Sequence, residues 1–226
     1  MDRIDRLDSS LNSYLTVSAE QAMVSAHSAE DAVVRGEDLG PLHGVPISIK
    51  DLENTLGTRT TNGSLVFKDR IPEDDSVVVE RIRRSGAVIL GKTNTPEFGL
   101  FARTENRLGR PCSNPWDTER TSGGSSGGAA AAVASGLCSL ATGSDGGGSI
   151  RIPASFCGIY GIKPTQNRVP YYSGKDSPIS TNFFSQSGPM GRTVRDCALL
   201  LQVIAGYDPR DPCSLRDAPE AYLNAA

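Results

Sequence analysis

A serine that directly follows three glycines is the clearest chemical feature of this sequence. Gly146, Gly147 and Gly148 precede Ser149. Successive glycines allow several backbone amides to point at one place, which is what an oxyanion hole requires. A serine hydroxyl at the end of such a loop is placed to attack the carbonyl whose oxygen those amides hold. The pattern therefore predicts an acyl-transfer nucleophile; the alternative is an ordinary glycine-rich loop.

A serine nucleophile needs a base, and histidine is scarce in this chain. The two histidines, His27 and His43, both lie upstream of the serine-rich region. A lysine can serve instead if burial or a nearby cation lowers its pKa enough to leave it neutral. Lys50 ends the apolar stretch 45–49 and is the lysine whose position most favours burial. The alternative is that Lys50 is a solvated charge at the end of a strand.

A second pair of hydroxyls stands between two glycine pairs, in the stretch 123–128. Ser125 and Ser126 each satisfy the G-x-S-x-G pattern of the hydrolase nucleophile elbow. That mechanism requires an acid and then a histidine further along the chain, and both histidines come earlier. The order of residues argues against a Ser-His-Asp triad and leaves a glycine-rich turn before a helix as the structural interpretation.

The stretch 86–93, Gly-Ala-Val-Ile-Leu-Gly-Lys-Thr, matches the phosphate-loop pattern G-x4-G-K-[ST]. A phosphate loop needs flexible backbone at its four middle positions, because the backbone amides must wrap around the phosphate. Those positions here hold residues that favour a strand. We therefore predict a strand and a turn, and no nucleotide site.

Strands that alternate with helices must position these residues, and this alternation predicts the α/β class. The predicted helices are 18–33, 76–85, 127–136 and 198–205, with capping pairs Ser18/Gln21 and Thr193/Asp196. The predicted strands are 45–50, 87–90 and 138–142. Helix 127–136 is built almost entirely from Ala, Gly and Val, so we expect it to pack very close to its neighbours. Residues 208–219 are predicted to form an exposed loop or the start of a linker.

Composition narrows the classes of function. The 226 residues carry 23 Lys plus Arg against 26 Asp plus Glu, a net charge of -3, which argues against nucleic acid as the primary partner. No apolar run reaches the length of a membrane span, and no signal peptide is visible. The five cysteines have no Cys-x-x-Cys spacing, which argues against a zinc site or a disulfide framework. We expect a cytoplasmic protein.

Taken together, the separated motifs resemble the amidase signature family. The stretch 123–164 is similar to the signature of that family almost throughout. The stretch 44–51, Gly-Val-Pro-Ile-Ser-Ile-Lys-Asp, resembles its lysine motif, and the stretches 91–94 and 114–116 match further landmarks. The resemblance covers essentially the whole chain, 1–226, as a single domain. It implies an α/β fold with a mixed β-sheet core covered by helices, incomplete on its C-terminal side because family members are considerably longer.

The resemblance places a Ser-cisSer-Lys triad on Ser149, Ser125 and Lys50. Ser149 would form the acyl-enzyme, while Ser125, after a cis peptide bond, would relay the proton between Ser149 and neutral Lys50. The backbone amides of residues 146–149 would form the oxyanion hole. The implied reaction is hydrolysis of a linear carboxamide by an amidase that needs no metal or organic cofactor.

The resemblance also implies which residues organise the nucleophile loop and which partners the chain binds. Asp145 and Arg151 match family positions that we expect to organise the loop before and after the nucleophile. Because most of the acyl-pocket walls come from family segments that this chain does not contain, we expect a homo-oligomer or a completing partner chain. The expected ligand is a small-molecule amide, with no direct contact to nucleic acid and no membrane association.

Two other functions remain open. The A subunits of tRNA-dependent amidotransferases use the same triad to release ammonia from glutamine. Those subunits carry Ser-Leu-Asp-Gln shortly before Gly-Pro, whereas this chain reads Phe-Ser-Gln-Ser-Gly-Pro at 184–189, which favours the amidase interpretation. The third possibility is a non-catalytic, amidase-like interaction domain. Such domains lose triad residues, and all three are present here.

Overall fold

A six-stranded mixed β-sheet runs through the computed structural model, which describes residues 1–175 and 184–226. The sheet strands are β1 (Tyr14–Val17), β2 (Pro46–Lys50), β3 (Val88–Thr93), β6 (Leu140–Asp145), β7 (Tyr160–Gly161) and β8 (Gln186–Gly191), and a separate two-stranded ribbon pairs β4 (Ser113–Asn114) with β5 (Asp117–Thr121). The helices are α1 (Asp2–Leu11), α2 (Ala19–Val34), α3 (Val77–Arg84), α4 (Gly127–Ala134), α5 (Arg151–Cys157) and α6 (Val194–Ile204).

The order of strands in the sheet is β1-β3-β2-β6-β8-β7. Strand β2 is parallel to both of its neighbours, β3 and β6, whereas the pairs β1·β3, β6·β8 and β7·β8 are antiparallel. This arrangement confirms the predicted α/β fold with a mixed sheet. Because β2 and β6 are adjacent and parallel, their C-terminal ends meet at the same edge, which brings Lys50 close to the loop that follows Asp145.

The two faces of the sheet carry separate apolar cores. Helices α1 and α4 contribute to one core, and helices α3 and α6 to the other. Side chains alternate between the faces along a strand. On β2, Ile47 and Ile49 enter the core of α3 and α6, whereas Ser48 and Lys50 contact residues on the face of α4. The pleat of one strand therefore directs the lysine away from the larger aliphatic core and toward the serines.

Helix α4 lies unusually close to the sheet, as its small side chains predict. Its residues from Gly127 to Val133 are all buried. A Cβ atom at Gly128 would collide with backbone atoms of Ser13 and Asn94. No larger residue fits there without moving the helix, so this close approach fixes the start of α4 and the serine pair that precedes it.

Several predicted boundaries are confirmed and others change. Ser76 accepts a hydrogen bond from the Val79 amide at 3.3 Å, and Thr193 accepts one from the Asp196 amide at 3.1 Å. In the described structure Ser18 stands at the start of α2, but its side chain makes no capping bond, so that capping box is not formed. Strand β3 continues beyond the predicted 87–90 to include Lys92 and Thr93. The phosphate-loop pattern is therefore strand, as expected.

Residues 208–219 form a loop that is mostly exposed, as predicted, but Asp208, Asp211 and Ser214 within it are buried. Arg210 donates to Glu80 on α3 at 2.8 Å and to Asp208 at 2.9 Å, and its guanidinium stacks on Tyr172 at 4.5 Å. Asp211 accepts from the backbone of residue 171 at 2.8 Å. These contacts hold the segment against α3. The sequence pattern does not predict them, because the partners of its charged side chains lie far away along the chain.

Candidate active site

Lys50 is completely buried at the C-terminal end of β2. Its Nζ donates to three hydroxyls: Ser125 Oγ at 2.8 Å, Ser126 Oγ at 2.8 Å and Ser144 Oγ at 3.0 Å. The structure therefore brings two of the predicted residues, Lys50 and Ser125, into direct contact across 75 positions of sequence. A buried amine bound to hydroxyls alone has no carboxylate in its immediate hydrogen-bonding shell.

Burial lowers the pKa of Lys50 from its usual 10.5 to about 7, and the carboxylates of Glu53 and Asp145 oppose this effect without reversing it. Taking an ammonium out of water disfavours its charged form, which is why desolvation dominates. A large fraction of Lys50 is therefore neutral near pH 7, and a neutral amine can accept a proton from a bound hydroxyl.

Ser125 and Ser126 lie side by side but have different neighbours. The peptide bond between Gly124 and Ser125 is cis, as the family resemblance implies. Ser125 contacts Lys50, and a Cβ at Gly99 would come within 3.2 Å of its hydroxyl, so the loop around Gly99 covers it. Ser126 Oγ donates to the carbonyl of Ser144 at 3.3 Å and accepts from the amide of the same residue at 3.2 Å. Ser126 therefore connects the start of α4 to β6.

Asp145 organises the loop that carries Ser149. Its carboxylate accepts from the amides of Gly148 at 2.7 Å, Ile150 at 3.2 Å and Arg151 at 3.3 Å. Arg151 also donates to both carboxylate oxygens through its guanidinium, each at 2.9 Å. Burial raises the pKa of Asp145, but these donors outweigh burial and hold the pKa at about 2. The carboxylate is therefore charged at neutral pH and fixes the loop, the role expected for Asp145 and Arg151.

The Gly148 amide is engaged inside this loop and is not the free donor that the sequence predicts. It donates to Asp145, and the φ angle of Gly148, +117°, is one that residues with side chains rarely adopt. Gly146 and Gly147, by contrast, are exposed at the tip of the loop. The glycines therefore divide into one that shapes the loop and two that stand at its exposed tip.

Ser149 is half-buried and lies next to the serine pair. Its carbonyl accepts from the Ser126 amide at 3.1 Å, which joins the loop after β6 to the start of α4. Within the described residues, the Ser149 hydroxyl forms no hydrogen bond with Ser125. The hydrogen bond from Lys50 to Ser125 is therefore formed, and none joins the hydroxyls of Ser125 and Ser149 in the described structure.

The hydroxyls of Ser126 and Ser144 were not predicted as part of the lysine's surroundings. In the sequence, Ser126 stands out only through a G-x-S-x-G pattern, and Ser144 belongs to no motif. The parallel pairing of β2 with β6 brings Ser144 to Lys50. Among the described residues, no group of three or more His, Cys, Asp or Glu side chains is arranged to hold a metal ion.

Comparison with known proteins decides the family. The Amidase family model matches residues 1–225. The chain belongs to the amidase family. This result confirms the resemblance drawn from the motifs at 44–51 and 123–164.

Individual amidase-family relatives are similar over nearly the whole chain. The A subunit of glutamyl-tRNA(Gln) amidotransferase from Carboxydothermus hydrogenoformans is 48% identical over 99% of this chain and 45% of its own length. A protein from a vestigial complex, linked to the origins of an s-triazine catabolic enzyme, has a TM-score of 0.92 and 36% identity, over 99% of this chain and 49% of its own. A bacterial aryl acylamidase has a TM-score of 0.90 and 36% identity, over 99% and 46% respectively. The chain therefore spans less than half the length of these relatives.

The described part of the chain contains no helix with the length and apolar character needed to cross a membrane.

Proposed function

We propose that this chain carries the catalytic centre of a serine amidohydrolase, in which Ser149 forms an acyl-enzyme and Ser125 and Lys50 move the proton. The observation that carries the proposal is the buried Lys50 amine, with its pKa lowered to about 7, bound to Ser125 at 2.8 Å beside the loop of Ser149. Membership of the amidase family supports the same reaction class.

In the proposed first half-reaction, Ser149 Oγ attacks the carbonyl carbon of a linear carboxamide. The Ser149 proton passes to Ser125 Oγ, and the Ser125 proton passes to the Lys50 amine. The developing oxyanion accepts hydrogen bonds from the amides of Gly146, Gly147 and Ser149. When the C–N bond breaks, the leaving nitrogen receives the proton back along the same path, and the acyl group stays on Ser149.

In the second half-reaction, water takes the place of the leaving amine. It gives a proton to Lys50 through Ser125 as its oxygen attacks the acyl-enzyme. Breaking the ester bond returns that proton to Ser149 and releases a carboxylic acid. Each proton that Lys50 accepts is given back, so the chain ends each cycle unchanged.

We further propose that another chain completes the substrate pocket. The loop beside Ser125 leaves apolar side chains open to solvent: Phe98 is 42% exposed, Leu100 76% and Phe101 60%. Exposed apolar groups next to a reactive centre favour a covering surface. We therefore propose a homo-oligomer or a completing partner chain, working in the cytoplasm on a small-molecule amide. A monodisperse monomer in light scattering at micromolar concentration would count against this association.

A second candidate is the A subunit of a tRNA-dependent amidotransferase, which the 48% identity to one such protein favours. The residues at 184–189 favour a simple amidase, but this short stretch is weaker evidence than a similarity over almost the whole chain. Glutaminase activity that appears only with added partner subunits would support the amidotransferase. Hydrolysis of anilides or aliphatic amides by the chain alone would support the amidase. A non-catalytic interaction domain would show neither activity and no reaction with a serine-directed probe.

The test of the catalytic assignment is loss of amide hydrolysis in Ser149→Ala and Lys50→Ala. General-base losses alone are about 10²–10⁴-fold, so each variant should keep well under about 10% of the rate. Lys68→Ala is the matched control, because Lys68 is exposed and, among the described residues, its side chain pairs only with Asp69, at 3.8 Å. Retention of more than about 10% of the rate in either triad variant would refute the assignment.

A further inference from the structure

Glu53 lies in the turn directly after Lys50 and is nearly as buried, with 9% of its surface exposed. Its amide donates to the Lys50 carbonyl at 3.0 Å, which closes the turn. Its carboxylate Oε1 accepts from Ser187 Oγ on β8 at 2.5 Å. Ser187 is paired in register with Ser144, whose hydroxyl contacts Lys50. The Glu53 side chain is therefore fixed beside the lysine from both ends.

A second buried lysine holds the backbone of this turn. Lys92, on β3, is fully buried, and its Nζ donates to the Glu53 carbonyl at 2.5 Å and to Thr60 Oγ1 at 2.8 Å. It also lies 3.8 Å from Asp51 Oδ1. Burial lowers the pKa of Lys92 to about 8, against the opposing effect of Asp51 and Glu53. Lys92 therefore holds the backbone of the turn, and Asp51, which accepts from the Thr61 amide at 2.9 Å, lies within ion-pair distance of Lys92.

The charged groups that act on Lys50 differ in how far they are neutralised. Glu53 approaches from the turn and Asp145 from the end of β6. Asp145 is paired with the Arg151 guanidinium through two hydrogen bonds of 2.9 Å. The Glu53 carboxylate forms no ion pair with any of the described residues. Its only hydrogen bond there is the one from neutral Ser187. Among the described residues, Glu53 therefore has no hydrogen-bonded cation of the kind that pairs with Asp145, and the nearby Lys92 amine contacts its carbonyl rather than its carboxylate.

We infer that Glu53 is a positioning residue for the proposed reaction. Ser187 and the turn that Lys92 contacts hold its carboxylate in place. The carboxylate stabilises the ammonium that forms when Lys50 accepts the proton. The catalytic part of this inference, that Lys50 accepts a proton during the reaction, rests on the proposed function. A buried amine without a nearby anion would be a weaker base, because nothing would offset its desolvation. Glu53 strengthens the base without touching the substrate.

The test is a direct titration of Lys50, which needs no substrate. The chain has five lysines, so [13Cε]lysine labelling gives five sets of signals, and a Lys50→Arg variant assigns the relevant one. We expect Glu53→Gln to lower the pKa of Lys50 by about 1, the lower end of the effect of an opposite charge at short range. The pH profile of Ser149 reaction with a fluorophosphonate should move to lower pH by the same amount.

Glu97→Gln is the matched control, because Glu97 also accepts from a serine, Ser64, at 2.6 Å but does not act on Lys50. It should leave the pKa of Lys50 unchanged. If Glu53→Gln does not fold, Glu53→Met removes the same charge with a side chain of similar length and is measured instead. An unchanged pKa of Lys50 in the folded neutral variant would overturn the inference. A normal effect on the titration with no fluorophosphonate reaction in any variant would instead contradict the proposed function.

Discussion

Raising the pH should accelerate acylation of Ser149, because the reaction needs Lys50 in its neutral form. Burial lowers the pKa of Lys50 to about 7, so the neutral fraction is about 1% at pH 5, about half at pH 7 and about 99% at pH 9. A free lysine, with its pKa near 10.4, would stay almost fully protonated over the same range. The acylation rate should therefore rise about 100-fold from pH 5 to pH 9, with its midpoint near pH 7.

The rate of adduct formation with a fluorophosphonate, followed by intact mass, measures this dependence without knowledge of the substrate. Single-turnover rates are collected at intervals of pH, and each is corrected for hydrolysis of the reagent. A parallel series with Lys50→Ala should be slow and nearly independent of pH, since the titrating base is gone. Lys163→Ala should reproduce the wild-type curve, because Lys163 donates to the carbonyl of Pro164 and contacts none of the three proposed catalytic residues in the described structure.

A midpoint above about pH 9 would refute the reasoning, because it would mean that Lys50 keeps the pKa of a solvated amine. A rate that does not change between pH 6 and pH 8 would refute it as well, since no group with a pKa near 7 would then control the reaction. A normal midpoint that persists in Lys50→Ala would assign the titration to another residue.

Two further predictions concern the elements that position the site. Asp145→Asn should remove stability that the carboxylate contributes: its pKa of about 2 against about 4 in the unfolded chain corresponds to about 2 kcal/mol, present above pH 4 and lost as pH falls toward 2. Denaturant melts at pH 7 and pH 3 should show a smaller loss of stability in the variant than in the wild type, because Asp208, whose pKa is also about 2, titrates in both; equal stability of the two proteins at pH 7 would contradict the prediction. Gly128→Ala should destabilise the fold by about 1–3 kcal/mol, because its Cβ meets the backbone of Ser13 and Asn94. A urea melt as stable as that of Gly109→Ala, where the added Cβ meets only Asn12 at 3.7 Å, would show that α4 can shift without cost.

Helices and strands that have a sequence motif or a periodic apolar pattern could be predicted. Elements that are stabilised by neighbouring strands or helices could not. The apolar alternation before Lys50 and the capping serine of α3 gave the right strand and helix. Strand β8 was not predicted, because Gln-Ser-Gly-Pro-Met-Gly alternates neither apolar nor β-branched residues and is stabilised by its neighbours β6 and β7. Helix α1 was also not predicted, although Ile4, Leu7 and Leu11 follow helical spacing and its signal was present in the sequence.

The site divides in the same way. Local patterns and the family resemblance predict Lys50, Ser125 and Ser149 as the catalytic residues. The surroundings that set the behaviour of Lys50 come from distant strands: Ser144 is 94 positions away, and the Glu53–Ser187 bond joins residues 134 positions apart. The engaged amide of Gly148 depends on the Asp145 side chain rather than on the glycine pattern. Long-range pairing of strands therefore determines the neighbours of Lys50, and no single sequence motif predicts them.

The most direct measurement for the central claim is peptide mapping of the chain after reaction with a fluorophosphonate. We expect one adduct, on Ser149, that is lost in Lys50→Ala. An adduct on a different serine, or no adduct in a correctly folded sample, would contradict the claim that Ser149, Ser125 and Lys50 form a working catalytic centre in this chain.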